Sequence, residues 1–121
     1  MNFIIVALGG ALGALGRYSI SLIPVKTTFP LLTFITNILG AILIGFIVGL
    51  TDKKENVSPE TVLFWKTGVC GGFTTFSTFS LEAYNLFEKN SYPLGCLYIF
   101  LSVCGCILGI LLGKKLPTVI S

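Results

Sequence analysis

Residues 31–50 contain no charged side chain. Wound as a helix at about 1.5 Å per residue, this run is roughly 30 Å long, the thickness of one bilayer core. One such run could be the central helix of a soluble domain. Here the pattern recurs. From Asn2 to Ile23 the only charge is Arg17, and 94–113 carries none before Lys114-Lys115. A chain of 121 residues that is 54% hydrophobic and 11% charged, with mean hydropathy +0.93, has too little polar surface for a soluble fold, where about a quarter of residues are charged. The apolar surplus faces lipid. The reading is an all-α integral membrane protein with one domain, 1–121, and four transmembrane helices at about 2–23, 31–50, 61–87 and 94–113.

The third span differs from the others. Only 15 uncharged residues separate Lys66 from Glu82, about 22 Å of helix and too short to cross alone. It also contains Gly71-Gly72 and five hydroxyl residues: Thr74, Thr75, Ser77, Thr78 and Ser80. Such a segment belongs inside protein, against polar partners or water. Its start is marked by Ser58-Pro59-Glu60, an N-cap followed by proline and an acid in the first turn. Pro117 reads as the end of the helical pattern in the fourth span.

Four spans place both termini on one side. The polar loop Thr51–Ser58 (Asp52, Lys53, Lys54, Glu55) lies on that side too. There the basic residues are Lys53, Lys54, Lys66, Lys114 and Lys115; on the other side are Arg17, Lys26 and Lys89. Five against three sets no firm orientation, and a chain that inserts both ways can form an antiparallel dimer. All four spans carry small residues four apart: Gly9/Gly13, Ala41/Gly45/Gly49, Gly68/Gly72 and Gly105/Gly109/Gly113. These faces allow close helix approach in lipid, and much of that packing is expected between subunits.

Several function classes fall away. There is no basic stripe for nucleic acid, since the cations sit at segment ends and in loops as interfacial anchors. Without any histidine, and with Cys70, Cys96, Cys104 and Cys106 all inside apolar runs, a zinc site is excluded and the cysteines read as small buried thiols. No paired carboxylates suggest catalysis. The N-terminus lacks the basic start of a cleavable signal peptide, and its apolar run is too long for one.

The remaining candidates each carry two readings. Asn37 lies on a stripe with Thr33, Ala41, Gly45 and Gly49; its amide is either interhelical glue or a pore-lining donor. Phe76 and Phe79 share a helix face at i, i+3, either as packing or as ring edges for an anion, with hydroxyls between them. Gly71-Gly72 before two β-branched threonines is either a close-packing site or a helix break that frees backbone carbonyls for a hard cation. Arg17 either snorkels to the interface or lines an electropositive vestibule.

Three stretches carry a family resemblance: residues 9–18 (GGALGALGRY), 33–40 (TFITNILG) and 68–80 (GVCGGFTTFSTFS). With the length and the four-span layout, the chain resembles the Fluc (CrcB) fluoride channel family over nearly its whole length. The resemblance implies an antiparallel dual-topology dimer with two fluoride pores, and a third helix broken near mid-membrane. It implies a structural Na⁺ at the dimer centre, on the backbone carbonyls of Gly71 and Thr74. It casts Phe76 and Phe79 as the aromatic pair of each pore, Asn37 beside them, and Thr75, Ser77 and Thr78 as the hydroxyl-rich part of the motif. Tyr98 and Ser102 match positions beside the pore, Arg17 the arginine after the first glycine motif, and Glu82 an acidic position at the far end of the third helix. The implied activity is passive export of cytoplasmic fluoride across a prokaryotic plasma membrane, by a homodimer or by a pair with a paralogous sister subunit. A small multidrug-type proton-coupled transporter would need an acid in the first span, and there is none. A non-conducting membrane subunit would not need the hydroxyl-aromatic segment.

Overall fold

The computed structural model describes residues 1–54 and 56–120 and is helical throughout its ordered elements. Glu55, counted in the polar loop, and Ser121, at the end of the expected domain, lie outside the described residues. Helix α1 spans Asn2–Ser21 and α2 spans Leu31–Lys53. A helical run then passes from α3 (Pro59–Val62) through a π-helical stretch (Leu63–Cys70) into α4 (Gly71–Phe73). After Thr74 and Thr75 the chain resumes as α5 (Phe76–Glu88), and α6 covers Tyr92–Ile120. Three of these helices, 2–21, 31–53 and 92–119, are long and apolar enough to cross a membrane.

Local signals place the ends. Ser58 accepts the Thr61 N–H at 3.1 Å, with Pro59 and Glu60 in the first turn, as the sequence suggests. The α5–α6 turn is closed by Asn90 in the left-handed region (φ 60°), while Ser91 N–H donates to the Leu86 carbonyl at 2.8 Å. Asparagine tolerates that conformation better than most residues.

Packing runs through the glycine faces. Gly9 and Gly13 of α1 lie against the backbone at Phe64, Gly68 and Val69, and Gly72 lies against the backbone of Gly10. Gly45 and Gly49 of α2 lie against the backbone at Ile110 and Lys114, and Gly113 against Ile42. Thus α1 pairs with the π-helical stretch and α2 with α6; the two pairs meet where Gly40 faces the Thr74 side chain. This corrects the expectation that much of the small-residue packing serves subunit contact. With so little side chain between backbones, the closest surfaces available to each glycine face are those of the same chain.

Large apolar side chains point away from these seams. Phe3, Leu8, Leu15, Phe100 and Ile107 are each more than half exposed, a distribution suited to lipid as the surrounding solvent. The cysteines follow the same geometry. Only Cys70 is buried, Cys104 and Cys106 are half-buried and Cys96 is exposed, so the reading of four buried thiols holds for one.

The fourth span departs from its expected limits. Pro117 lies inside α6 instead of ending it, and the helix continues to Ile120. A proline there removes the bond to the Gly113 carbonyl and crowds that carbonyl with its ring. Tertiary contacts offset that loss: Pro117 is fully buried, its carbonyl accepts from Lys53 Nζ at 3.0 Å, and Lys114 approaches Asp52 at 3.7 Å. The same contacts carry α2 past residue 50 to Lys53.

Candidate functional site

The site is built around Thr74 and Thr75. Both are extended, with φ/ψ of −83°/157° and −148°/117°. Two side chains take over the hydrogen bonds that a continuous helix would make there. Asn37 on α2 binds the Thr75 backbone in both directions: Nδ2 donates to its carbonyl at 3.1 Å, and Oδ1 accepts its N–H at 2.9 Å. Thr75 Oγ1 in turn caps α5 by accepting the Thr78 N–H at 3.1 Å.

The consequence falls on the carbonyls of residues 71–74, which lose their helical donors. In an unbroken helix the Thr75 N–H would donate to the Gly71 carbonyl and the Thr78 N–H to the Thr74 carbonyl. Asn37 and Thr75 Oγ1 divert both donors. The Cys70 carbonyl, by contrast, accepts from Thr74 N–H at 3.0 Å and from Thr74 Oγ1 at 2.8 Å, and the Gly72 carbonyl accepts from Arg17 Nε at 3.3 Å. Gly71 is exposed, and a Cβ there would meet nothing within 4 Å. Two hard oxygen donors one turn apart, beside an open face, suit a cation that prefers carbonyl ligands.

Beside this junction lies a groove of about 360 Å³ that collects Asn37, Gly71, Thr74, Thr75, Phe76, Phe79 and Ser102 from three segments, with Lys66, Cys70 and Cys106 also on its wall. The rings of Phe76 and Phe79 are 5.7 Å apart and inclined at 48°. Their environments differ: Phe76 is 79% exposed and Phe79 is 7% exposed. Ser102 is 5% exposed, and its Oγ has no hydrogen-bond partner among the described residues. A buried, unpaired hydroxyl on a groove is a group with a free donor for an occupant.

Behind the groove, Tyr98 is fully buried with its ring 5.0 Å from that of Phe79. Its hydroxyl donates to Glu82 Oε1 at 3.0 Å, and Thr33 Oγ1 donates to Glu82 Oε2 at 3.1 Å. One carboxylate thereby ties α2, α5 and α6 together. A second, smaller cavity of about 70 Å³ is lined by Arg17, Thr33, Thr36, Thr75 and Thr78.

A sequence profile of the family described as CrcB-like protein, Camphor Resistance (CrcB), matches residues 4–114. The chain belongs to the CrcB family. Among its relatives, a protein of Flavobacterium psychrophilum named fluoride-specific ion channel FluC is 48% identical over 101 residues, covering 81% of this chain and 82% of its own length. One of the same name from Ruminiclostridium cellulolyticum is 43% identical over 124 residues, covering 100% of this chain and 95% of its own. Another from Methanococcus aeolicus is 40% identical over 114 residues, covering 93% and 92%.

In this CrcB chain, the residues read from sequence separate into four places, Tyr98 being the one behind the groove. Asn37, Thr75, Phe76, Phe79 and Ser102 share the groove, with Gly71 and Thr74 at its edge. Arg17 and Thr78 line the smaller cavity. Ser77 is exposed, with its hydroxyl 3.3 Å from Thr75 Oγ1. Asn37 bridges α2 to the Thr75 backbone and also borders the groove. The role of Glu82 as the hub of Thr33 and Tyr98 was missed. An acid flanked by apolar residues was its available signal, but the two partners are 49 and 16 residues away.

Proposed function

We propose that this chain is a passive, fluoride-selective channel of the cell membrane and not an enzyme, acting as an antiparallel dual-topology homodimer. The observation that carries the reading is the groove: paired phenyl rings, an amide and an unpaired hydroxyl converge on one path in a chain whose relatives are named fluoride-specific ion channels. Ring edges and neutral O–H and N–H donors hold a small anion weakly and repeatedly, as conduction requires. On this reading Asn37, Thr75, Ser77, Thr78, Phe76, Phe79, Tyr98 and Ser102 form or flank the fluoride path, and Arg17 gives its approach a positive field.

The dimer answers a physical problem of the single chain. Gly71, Phe76, Ser77 and Ser80 are exposed on the segment richest in hydroxyls. Polar backbone and side chains at membrane depth need protein or water around them. A second copy in the opposite orientation covers that face and places the Thr74–Thr75 interruption of the third span near mid-membrane. The Gly71 and Thr74 carbonyls of each subunit then supply four oxygens for a structural Na⁺, whose role is to neutralise these dipoles at the interface.

Passive conduction is sufficient for export. Hydrogen fluoride crosses membranes uncharged and ionises in a less acidic cytoplasm, where the anion is trapped. An inside-negative potential of about 100 mV is worth about 2.3 kcal/mol per charge, close to a fifty-fold outward gradient. The test is efflux from liposomes containing the purified protein, read with fluoride and chloride electrodes after addition of a potassium ionophore. Rapid fluoride loss with chloride retained is expected. Retention of fluoride by homodimeric protein, alone and after co-expression with a sister chain, refutes the reading.

A further inference from the structure

We infer that Arg17 is a positioning residue for the interrupted third span: its guanidinium holds the Gly72 carbonyl, which lies with that of Phe73 between the Gly71 and Thr74 oxygens, and so helps set which oxygens face a cation. This inference rests on the sodium reading above. The Cys70 carbonyl is satisfied by the N–H and hydroxyl of Thr74, and that of Thr75 by Asn37. Gly71 and Thr74 have lost their helical donors to Asn37 and to Thr75 Oγ1. Between them, Gly72 receives Arg17 Nε across 55 residues of sequence.

Several features show that this contact is built and not incidental. Arg17 is half-buried, and among the described residues no carboxylate pairs with it. Its charge sits where the helical run 59–73 ends, at the negative pole of the helix dipole. The approach depends on glycine: Gly72 lies on the Gly10 backbone, and a Cβ there would clash with the Gly10 carbonyl oxygen. The glycine face of α1 therefore delivers Arg17 to Gly72. Without that bond, Gly72 becomes a further orphan oxygen, and the two extended threonines after it lose their anchor on the α1 side, keeping only Asn37 on the other.

A vestibule role for the same residue predicts a different response. Acting only as a positive charge, Arg17 would oppose a nearby cation by Coulomb repulsion, and its removal would lower the Na⁺ requirement. Acting as a clamp, its removal raises that requirement, because the carbonyls must be ordered before they can bind. A purely structural loss would lower stability equally at every Na⁺ concentration.

The test is thermal unfolding of the purified full-length dimer across a Na⁺ series at constant ionic strength, with N-methylglucamine as the replacing cation. It is paired with hydrogen exchange of peptides covering residues 71–78. Arg17→Ala is expected to raise the Na⁺ midpoint by about tenfold or more, the scale of one charge-assisted hydrogen bond, and to speed exchange in that peptide. Arg17→Lys, which keeps the charge and a donor, is expected to recover part of both; if Arg17→Ala gives no dimer, Arg17→Gln replaces it. A midpoint that stays or falls, with exchange unchanged, overturns the inference. If the wild-type protein ignores Na⁺ altogether, the sodium reading fails by itself; exchange then decides the clamp, faster exchange upholding it and unchanged exchange overturning it.

Discussion

Replacing Asn37 by leucine isolates the contact on which the whole junction depends. Leucine has nearly the shape of asparagine but neither donor nor acceptor, so the substitution leaves both the Thr75 N–H and its carbonyl without their side-chain partner. An orphaned polar group costs about 1–3 kcal/mol. The site is half-buried and borders an open groove, so water recovers part of this, and the lower half of the range applies to each group. The sum is about 2–4 kcal/mol, which increases the opening of the junction about 30- to 900-fold. Hydrogen exchange reads this directly: the Thr75 amide in Asn37→Leu should exchange faster by that factor, while amides in the α2–α6 seam near Gly45 and Gly113 keep their protection. Fluoride efflux should fall strongly in protein that still dimerises. Wild-type protection at Thr75 in a folded Asn37→Leu protein would refute the reasoning, because it would mean that the extended conformation needs no support from α2. Asn37→Asp should also lose efflux, since a carboxylate oxygen facing the Thr75 carbonyl cannot donate while ionised.

Other substitutions separate packing from conduction. Phe76→Ile should lower fluoride efflux with little change in unfolding temperature, because the ring is mostly exposed; Phe79→Ile should lower both, by about 1–3 kcal/mol in stability, since its ring packs on Tyr98. Normal efflux in both sinks the site assignment. Gly45→Ala places a Cβ inside contact distance of the Ile110 backbone, so helix α2 must move off α6; monodisperse, thermally wild-type protein would contradict the packing described. Gly71→Ala meets nothing in the single chain, so each subunit should fold normally while the dimer weakens, measured by size-exclusion at falling concentration. Full dimer stability there would remove Gly71 from the interface.

Much of the architecture was legible in the one-dimensional pattern. Uncharged runs near the length of a bilayer core located three long helices, and Ser58-Pro59-Glu60 marked the cap and first turn of the run between the second and the last of them, two residues before the limit of 61 expected for that span. Such signals are local: they depend on hydropathy over one helix length or on atoms within one turn. The misses at Pro117 and at the glycine faces are contacts between distant segments. Pro117 was read as a stop because a proline usually is one, but its burial and the Lys53 contact are tertiary. The glycine stripes were read as close-packing faces, which they are, but a stripe does not name its partner, and the partner proved to be the same chain.

The functional motif shows the same division. Residue types, their order and their spacing in 68–80 determined the chemistry available: hydroxyls, two phenyl rings on one face, and a glycine pair before β-branched residues that make a continuous helix costly. Only the tertiary structure decided which group answers which. Asn37 and Arg17 reach Thr75 and Gly72 across 38 and 55 residues of sequence, and those two side chains determine where the backbone turns its carbonyls. The physical reason is that the cost of a helix break is local, whereas the hydrogen bonds that make the break tolerable come from whichever helix the glycine faces bring within about 3 Å.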